Sequence, residues 1–167
     1  HVNMRASTGS FNTRELYAQA TVGSTKGGIS VEGLSQSSDG FKQLDGGAPI
    51  NYTKNDFIAK ARLVLPAIGQ HYAHNVSVKG GYNKEISHES YTGLNRTDFN
   101  QNAYRRYIAS ENDVFNGEQR QLSASYNATY RNFAFSVTAY QNSFSRNWYK
   151  LDKITDDFGN TYSIASV

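Results

Sequence analysis

Between Glu118 and Phe144 apolar and polar residues alternate, and no other feature of the chain restricts its fold as tightly. Leu122, Ala124, Tyr126, Ala128 and Tyr130 stand at every second position, with Gln121, Ser123, Ser125, Asn127 and Thr129 between them. Successive side chains of a strand point to opposite faces, whereas a helix would scatter such a set around its circumference. After Arg131 and Asn132 the alternation resumes as Phe133, Phe135, Val137 and Ala139. A two-residue turn at that point sets Tyr130 opposite Phe133, Ala128 opposite Phe135, Tyr126 opposite Val137 and Ala124 opposite Ala139. The apolar faces then agree across the hairpin, and a slip of one residue would destroy the agreement.

The same theme recurs upstream. Phe57, Ala59, Ala61, Leu63 and Leu65 alternate with Ile58, Lys60, Arg62 and Val64. Val76, Val78, Gly80 and Tyr82 alternate with Ser77, Lys79, Gly81 and Asn83. Leu16, Ala18, Ala20 and Val22 form an earlier run, followed by a Gly-rich turn at 23–28 and then Ile29, Val31 and Gly33. With Val2, Met4, Ala6 and Thr8 at the start, the pattern predicts an all-β fold of about seven antiparallel strands. Their connections are short at 23–28, 66–74 and 131–132 and long at 37–55 and 89–117, with the short 9–13 link an exception on the long side. Short turns at one end and long loops at the other are the habit of outer-membrane barrels.

Composition narrows the chemistry. The 167 residues include no cysteine, which removes disulfides, thiolate metal sites and cysteine nucleophiles. No stretch has the length and apolarity of a membrane-spanning helix, and the first thirty or so residues lack the basic-then-apolar order of a signal peptide. The 17 basic and 14 acidic residues are mixed along the chain, which argues against a nucleic-acid partner. Charged residues make up only 19% of the chain, and the polar side of the alternation is mostly Ser, Thr, Asn, Gln and Gly. A wide barrel with lipid outside and a wet or plugged lumen has such a polar face. Tyr82, Tyr130 and Phe133 then fit an interfacial aromatic girdle. Periodicity alone leaves a soluble antiparallel sandwich equally open.

Several phrases go further. Asp39-Gly40-Phe41-Lys42-Gln43-Leu44-Asp45-Gly46-Gly47 and Tyr91-Thr92-Gly93-Leu94-Asn95-Arg96-Thr97-Asp98-Phe99 lie in the two long loops. Tyr104-Arg105-Arg106-Tyr107, Arg146-Asn147-Trp148-Tyr149-Lys150-Leu151 and the early Gly9-Ser10-Phe11-Asn12-Thr13-Arg14 complete the set. In this order the chain resembles TonB-dependent outer-membrane receptors, in particular the ferric-citrate and siderophore receptor-like branch. The resemblance implies an antiparallel transmembrane β-barrel of 22 strands with an internal plug. Residues 1–167 are expected to be the N-terminal portion of that barrel wall, because they hold about seven strands and no plug, TonB-contacting segment or terminal aromatic. Seven strands are too few to close, since single-chain bacterial barrels take an even number from about eight upward.

The function so implied is a share in TonB-dependent uptake of a ferric siderophore or ferric-citrate-type chelate in the outer membrane of a Gram-negative bacterium. The expected partners are outer-membrane lipid and lipopolysaccharide, the iron chelate, and the TonB system through the plug. No cofactor and no enzymatic step are expected. Within the chain, Tyr91, Arg96, Tyr104, Arg105, Arg106 and Tyr107 are the candidate ligand contacts, because guanidinium forks suit carboxylates and phenols add donors. Tyr-Arg-Arg-Tyr also suits packing between loops or lipopolysaccharide phosphates. A passive outer-membrane pore and a soluble β-sandwich binding module are the alternatives.

Other clusters carry less. Asp39, Asp45 and Gly46-Gly47 read as a turn. Asp152, Asp156, Asp157 and Asn160 lack the spacing of a calcium loop, and His71 with His74 lacks further zinc ligands. Trp148 is expected to be an anchor at the outer lipid interface.

Overall fold

The computed structural model describes residues 1–69 and 71–163. The chain end at 164–167, which the sequence reading takes to lack a terminal aromatic, lies outside the described residues. In chain order the strands are β1 (Val2–Gly9), β2 (Thr13–Ser24), β3 (Gly27–Ser38), β4 (Gln43–Leu44), β5 (Tyr52–Val64), β6 (Tyr72–Ser87), β7 (Arg105–Arg106), β8 (Val114–Tyr130), β9 (Phe133–Tyr149), β10 (Lys153–Thr155) and β11 (Thr161–Ser163). A short helix, α1 (Arg96–Gln101), and a 3-10 turn at Ile108–Ser110 lie between β6 and β8. Seven long strands form one antiparallel sheet in the order β1-β2-β3-β5-β6-β8-β9. Each strand is hydrogen-bonded to its neighbours in the chain, and β1 and β9 are open edges, so the sheet is not closed.

The expected hairpin register is the observed one: Tyr130 pairs with Phe133, Ala128 with Phe135, Tyr126 with Val137 and Ala124 with Ala139. Arg131 supplies the positive φ that the two-residue turn needs, at 50°. The strands outrun their periodic segments, because β8 begins at Val114 and β9 continues to Tyr149. Gly27 opens β3 with φ 151°, and a Cβ there would lie 2.3 Å from the Arg62 carbonyl oxygen of the next strand. That close approach is why the tight turn between β2 and β3 ends on glycine.

Alternation sorts the sheet into two faces. One carries Met4, Leu16, Val22, Val31, Phe57, Leu63, Val78, Leu122, Phe135 and Val137, and it is open: Met4 and Val22 are each 71% exposed and Phe133 is 79% exposed. Among the described residues the buried apolar side chains are Leu44, Ile50 and Ala128, two of them in a loop region. The polar face is laced across the strands. Glu15 accepts from Arg5 (2.7 Å) and Gln36 (2.6 Å), Lys60 approaches Glu32 (3.4 Å), and Asn83 donates to Asp56. Ser125 pairs with Thr138 (2.8 Å) and Ser136 donates to Asn127 (2.8 Å). Polar residues such as Glu15, Glu32, Asn83 and Asn127 are half-buried without any layer above them. A twisted sheet that curves toward its polar face shelters side chains in this way.

The apolar face is not bounded at right angles to the strands. From Leu16 on β2 the ladder leads through Ser35, Asn55, Lys84 and Glu118 to Ser145 on β9. Going from Ser145 toward the short-turn end of β9, the first apolar residue of that face is Ala139, six positions farther down (145 to 139). Between them the border passes Gly33, Phe57, Tyr82 and Leu122. Six residues are ~20 Å of strand and five strand spacings are ~24 Å, so the band crosses the strands with a slant of ~40°.

Candidate functional site: a knitted layer of loops at one end of the sheet

The turn at 10–12, the segment 39–51, the segment 88–113 and the residues after β9 all emerge at one end. The short links 25–26 and 131–132 and the residues 65–69 lie at the other. Two of the long segments are joined by backbone. β4 pairs in parallel with β7, with Gln43 N donating to Tyr104 O (2.7 Å) and Asp45 N to Arg106 O (2.8 Å). Parallel pairing between two-residue strands supplies few bonds, and side chains reinforce it. Arg105 forks onto Asp45 through Nε (3.0 Å) and Nη2 (2.9 Å), and its Nη1 reaches Asp98 (3.0 Å). Tyr107 donates its hydroxyl hydrogen to Asp98 (2.6 Å) and accepts from the Asn95 backbone N–H (3.2 Å).

Asp98 is fixed because it belongs to the start of α1. Asn95 is the N-cap, accepting from Asp98 N (2.8 Å) while its own amide donates to Asp98 Oδ2 (2.8 Å). This reciprocal cap satisfies two backbone and side-chain groups at once and aims the carboxylate at Arg105 and Tyr107. Aromatic edges extend the layer: Phe11 meets Phe41 at 6.3 Å, and Phe41 meets Tyr104 edge-on at 6.0 Å. Gly40 turns at φ 78°, where a Cβ would lie 2.1 Å from the Ile50 carbonyl oxygen.

A second knot holds the other side of the long loop. Asp113, 1% exposed, accepts from the backbone N–H of Tyr91 (2.9 Å) and of Leu151 (2.8 Å), tying the exits of β6 and β9 together. Thr92 and Ser110 are hydrogen-bonded beside it at 2.6 Å. Trp148 packs edge-on against Tyr91 (5.5 Å) and Phe115 (6.1 Å), and the Lys150 ammonium sits 3.5 Å from the Tyr91 ring centre. Trp148 therefore lies on the polar side of the sheet, since it shares the parity of Thr138 and Ser136, and stands nine residues beyond Ala139. The residue expected to be an interface anchor is thus held at the long-loop end, on the face opposite the apolar side chains. The alternation locates Trp148 on a face only once the strand is known to run unbroken to Tyr149.

The six residues singled out from the sequence thus have different surroundings. Arg105 and Tyr107 are engaged with Asp45, Asp98 and Asn95, and Arg106 donates to the Ala103 carbonyl (3.0 Å). Tyr91 is packed under Lys150, while Tyr104 is 55% exposed on the Phe41 edge. Arg96 is exposed at the first turn of α1, with no ion pair or hydrogen bond of its side chain among the described residues. Asp98, Asp113, Phe41 and Lys150 are the members that sequence reading missed. Asn95 followed by Asp98 was the available signal for one of them.

The lesser clusters resolve as turns. Asp156 accepts from Asn160 N (2.8 Å), Asn160 Nδ2 (2.9 Å) and Tyr162 Oη (3.1 Å), closing the hairpin of β10 and β11. The Asn160 side chain is the main cause holding its carboxyl below the ordinary carboxylate range. His74 is held by the Tyr126 hydroxyl (3.0 Å) and the Pro66 carbonyl (2.9 Å). Among the described residues no three His, Asp or Glu side chains gather as a metal site.

The Arg105 hydrogen bonds likewise hold the Asp45 carboxyl below its ordinary value. A lowered pKa stabilises the lock at every pH above the free-carboxylate range of about 4, and that contribution is lost as pH falls through the folded value. Protection of the β4 and β7 backbone amides, taken relative to the intrinsic exchange rate at each pH, should therefore be high at pH 7 and fall below about pH 4. Arg105→Ala should remove that protection at both pH values while leaving β8 and β9 protected. Equal protection in wild type and variant would show that the ion pairs do not hold the loops. The chain matches no protein-family model, no curated protein and no solved structure.

Proposed function

We propose that the sheet is a section of a transmembrane β-barrel wall, its apolar face against lipid and its polar face toward the lumen, and that the knitted loops form part of the external mouth. The oblique apolar band carries this reading. Its slant of ~40° matches the 35–45° at which strands cross a membrane in outer-membrane barrels. The band is bordered by the side chains that an interface calls for. Phe57 and Tyr82 are paired at its upper edge, and Tyr72, Tyr130 and Phe133 meet at its lower edge. Just above the band on the same face stand Arg14, Lys84 and Arg120, at the height of lipid or lipopolysaccharide phosphates.

With the family resemblance, the barrel reading becomes a receptor reading. The chain contributes wall and external loops to an outer-membrane receptor that takes up a ferric siderophore or ferric-citrate-type chelate, driven by TonB through a plug. Ligand contact falls to Arg96, Arg106 and Tyr104, which remain accessible, while Arg105 and Tyr107 shape the layer that presents them. Tyr91 supports the rim through Trp148. A passive pore would share the wall but would give the loops no chelate to hold.

A charge at mid-band separates the two faces. Val78→Arg should lower folding stability in lipid vesicles by about 2–4 kcal/mol, whereas Gln19→Arg on the polar face should cost under about 1 kcal/mol. Similar losses from both would remove the lipid-facing assignment. For the receptor, Arg96→Ala and Arg106→Ala together should weaken binding of a ferric chelate to the intact outer-membrane protein by tenfold or more, the scale of lost charge-assisted hydrogen bonds. Unchanged affinity would rule out ligand contact by these arginines.

A further inference from the structure

One row of the polar face runs Thr21, Ser30, Lys60, Lys79, Ser123 from β2 to β8. Lys60 and Lys79 are direct cross-strand partners, an arrangement that repels and weakens a sheet unless an anion lies between the two charges. Arg62 stands two positions from Lys60 on the same side. The three cations and the hydroxyls of Ser30, Ser77 and Ser123 line a single hollow of about 710 Å³. Glu32, at 3.4 Å from Lys60, is the acid that answers them. Arg62 and Lys79 have no ion pair or hydrogen bond of their side chains among the described residues.

Depth makes the cluster unusual. On the same strands the opposite face at this level is Ala59, Ala61, Val78 and Gly80, the middle of the apolar band. An ionisable group inside the span of a membrane protein is expensive and is kept where it faces a watery cavity and a partner. Rings of Lys and Arg on a lumen wall select anions and phosphates by the same logic.

We infer that Lys60, Arg62 and Lys79 form an oxyanion-binding station on the lumen wall at mid-membrane depth, taking small multivalent carboxylates or phosphates. The three charges present ammonium and guanidinium donors from two adjacent strands, and the serine hydroxyls complete the shell. The inference rests on the barrel reading above and adds a second place, well below the loops, where an anionic solute is held.

The test uses the intact outer-membrane protein in detergent micelles, titrated calorimetrically with sodium citrate and with sodium pyrophosphate. Saturable binding that weakens with added salt is expected. Lys79→Gln should weaken it by roughly tenfold or more, and Lys153→Gln, the same charge change in the β10 and β11 hairpin, should leave it unchanged. Citrate tighter than pyrophosphate assigns carboxylates, and the reverse order assigns phosphates. Equal weakening by both variants overturns the station. Absence of binding in the wild type, with Lys79→Gln lowering only thermal stability, also overturns it, because the cations then serve acidic side chains of the same protein. A protein that folds without detergent fails the barrel reading itself, whereas a folded, detergent-held protein that binds neither anion fails only the station.

Discussion

The continuous antiparallel ladder from β1 to β9 is the constraint on which everything else depends. Each strand is paired with the next without a bulge in the register, so the pleat assigns every side chain of seven strands to one face or the other. The result is a sheet whose apolar side chains are its most exposed and whose polar side chains are its more sheltered. A sheet that buries its own core would show the reverse. Stability must then come from the ladder, the cross-strand polar pairs and whatever covers the apolar face.

Once the register is fixed, the two ends of the sheet acquire different physics. At the short-turn end, close backbone packing dominates, as at Gly27. At the long-loop end, carboxylates organise the chain: Asp98 at a helix cap, Asp45 under an arginine fork, and Asp113 between two backbone N–H groups. These anions are spent on structure. Cations without a carboxylate partner among the described residues remain in Arg96 and Arg106 at the long-loop end and in Arg62 and Lys79 on the polar face. An anionic solute passing from one to the other would meet unpaired cations at each place, with Glu32 the one carboxylate beside the lower group.

Much of the sheet was legible in the sequence because strand side chains repeat every two residues and one face is uniformly apolar. The Leu122–Tyr130 run could be paired with Phe133–Ala139 residue by residue for that reason. The upper ends of β8 and β9 were not legible, since from Val114 to Gly117 and from Ser145 to Tyr149 the strands run past the alternating segment. Trp148 lies in that stretch, and the alternation did not show its face for the same cause. In the loops, Arg105 and Arg106 were visible as charges, but Asp45, which Arg105 grips, comes from a separate segment, and Arg106 turns to backbone carbonyls. Whether an arginine meets a ligand or a carboxylate of its own chain is decided by the β4 and β7 pairing, which two-residue strands do not announce. Lys60 and Lys79 were each visible on a polar face, and only the register set them opposite one another.

The central claim is that the apolar face meets lipid. With Trp148 replaced by Phe, a single tryptophan at Val78→Trp or at Ser77→Trp reports on the two faces at one depth, and brominated acyl chains quench only a ring in contact with them. Strong quenching at position 78 and weak quenching at position 77 are the results the account predicts. Equal quenching, or stronger quenching at 77, would contradict it.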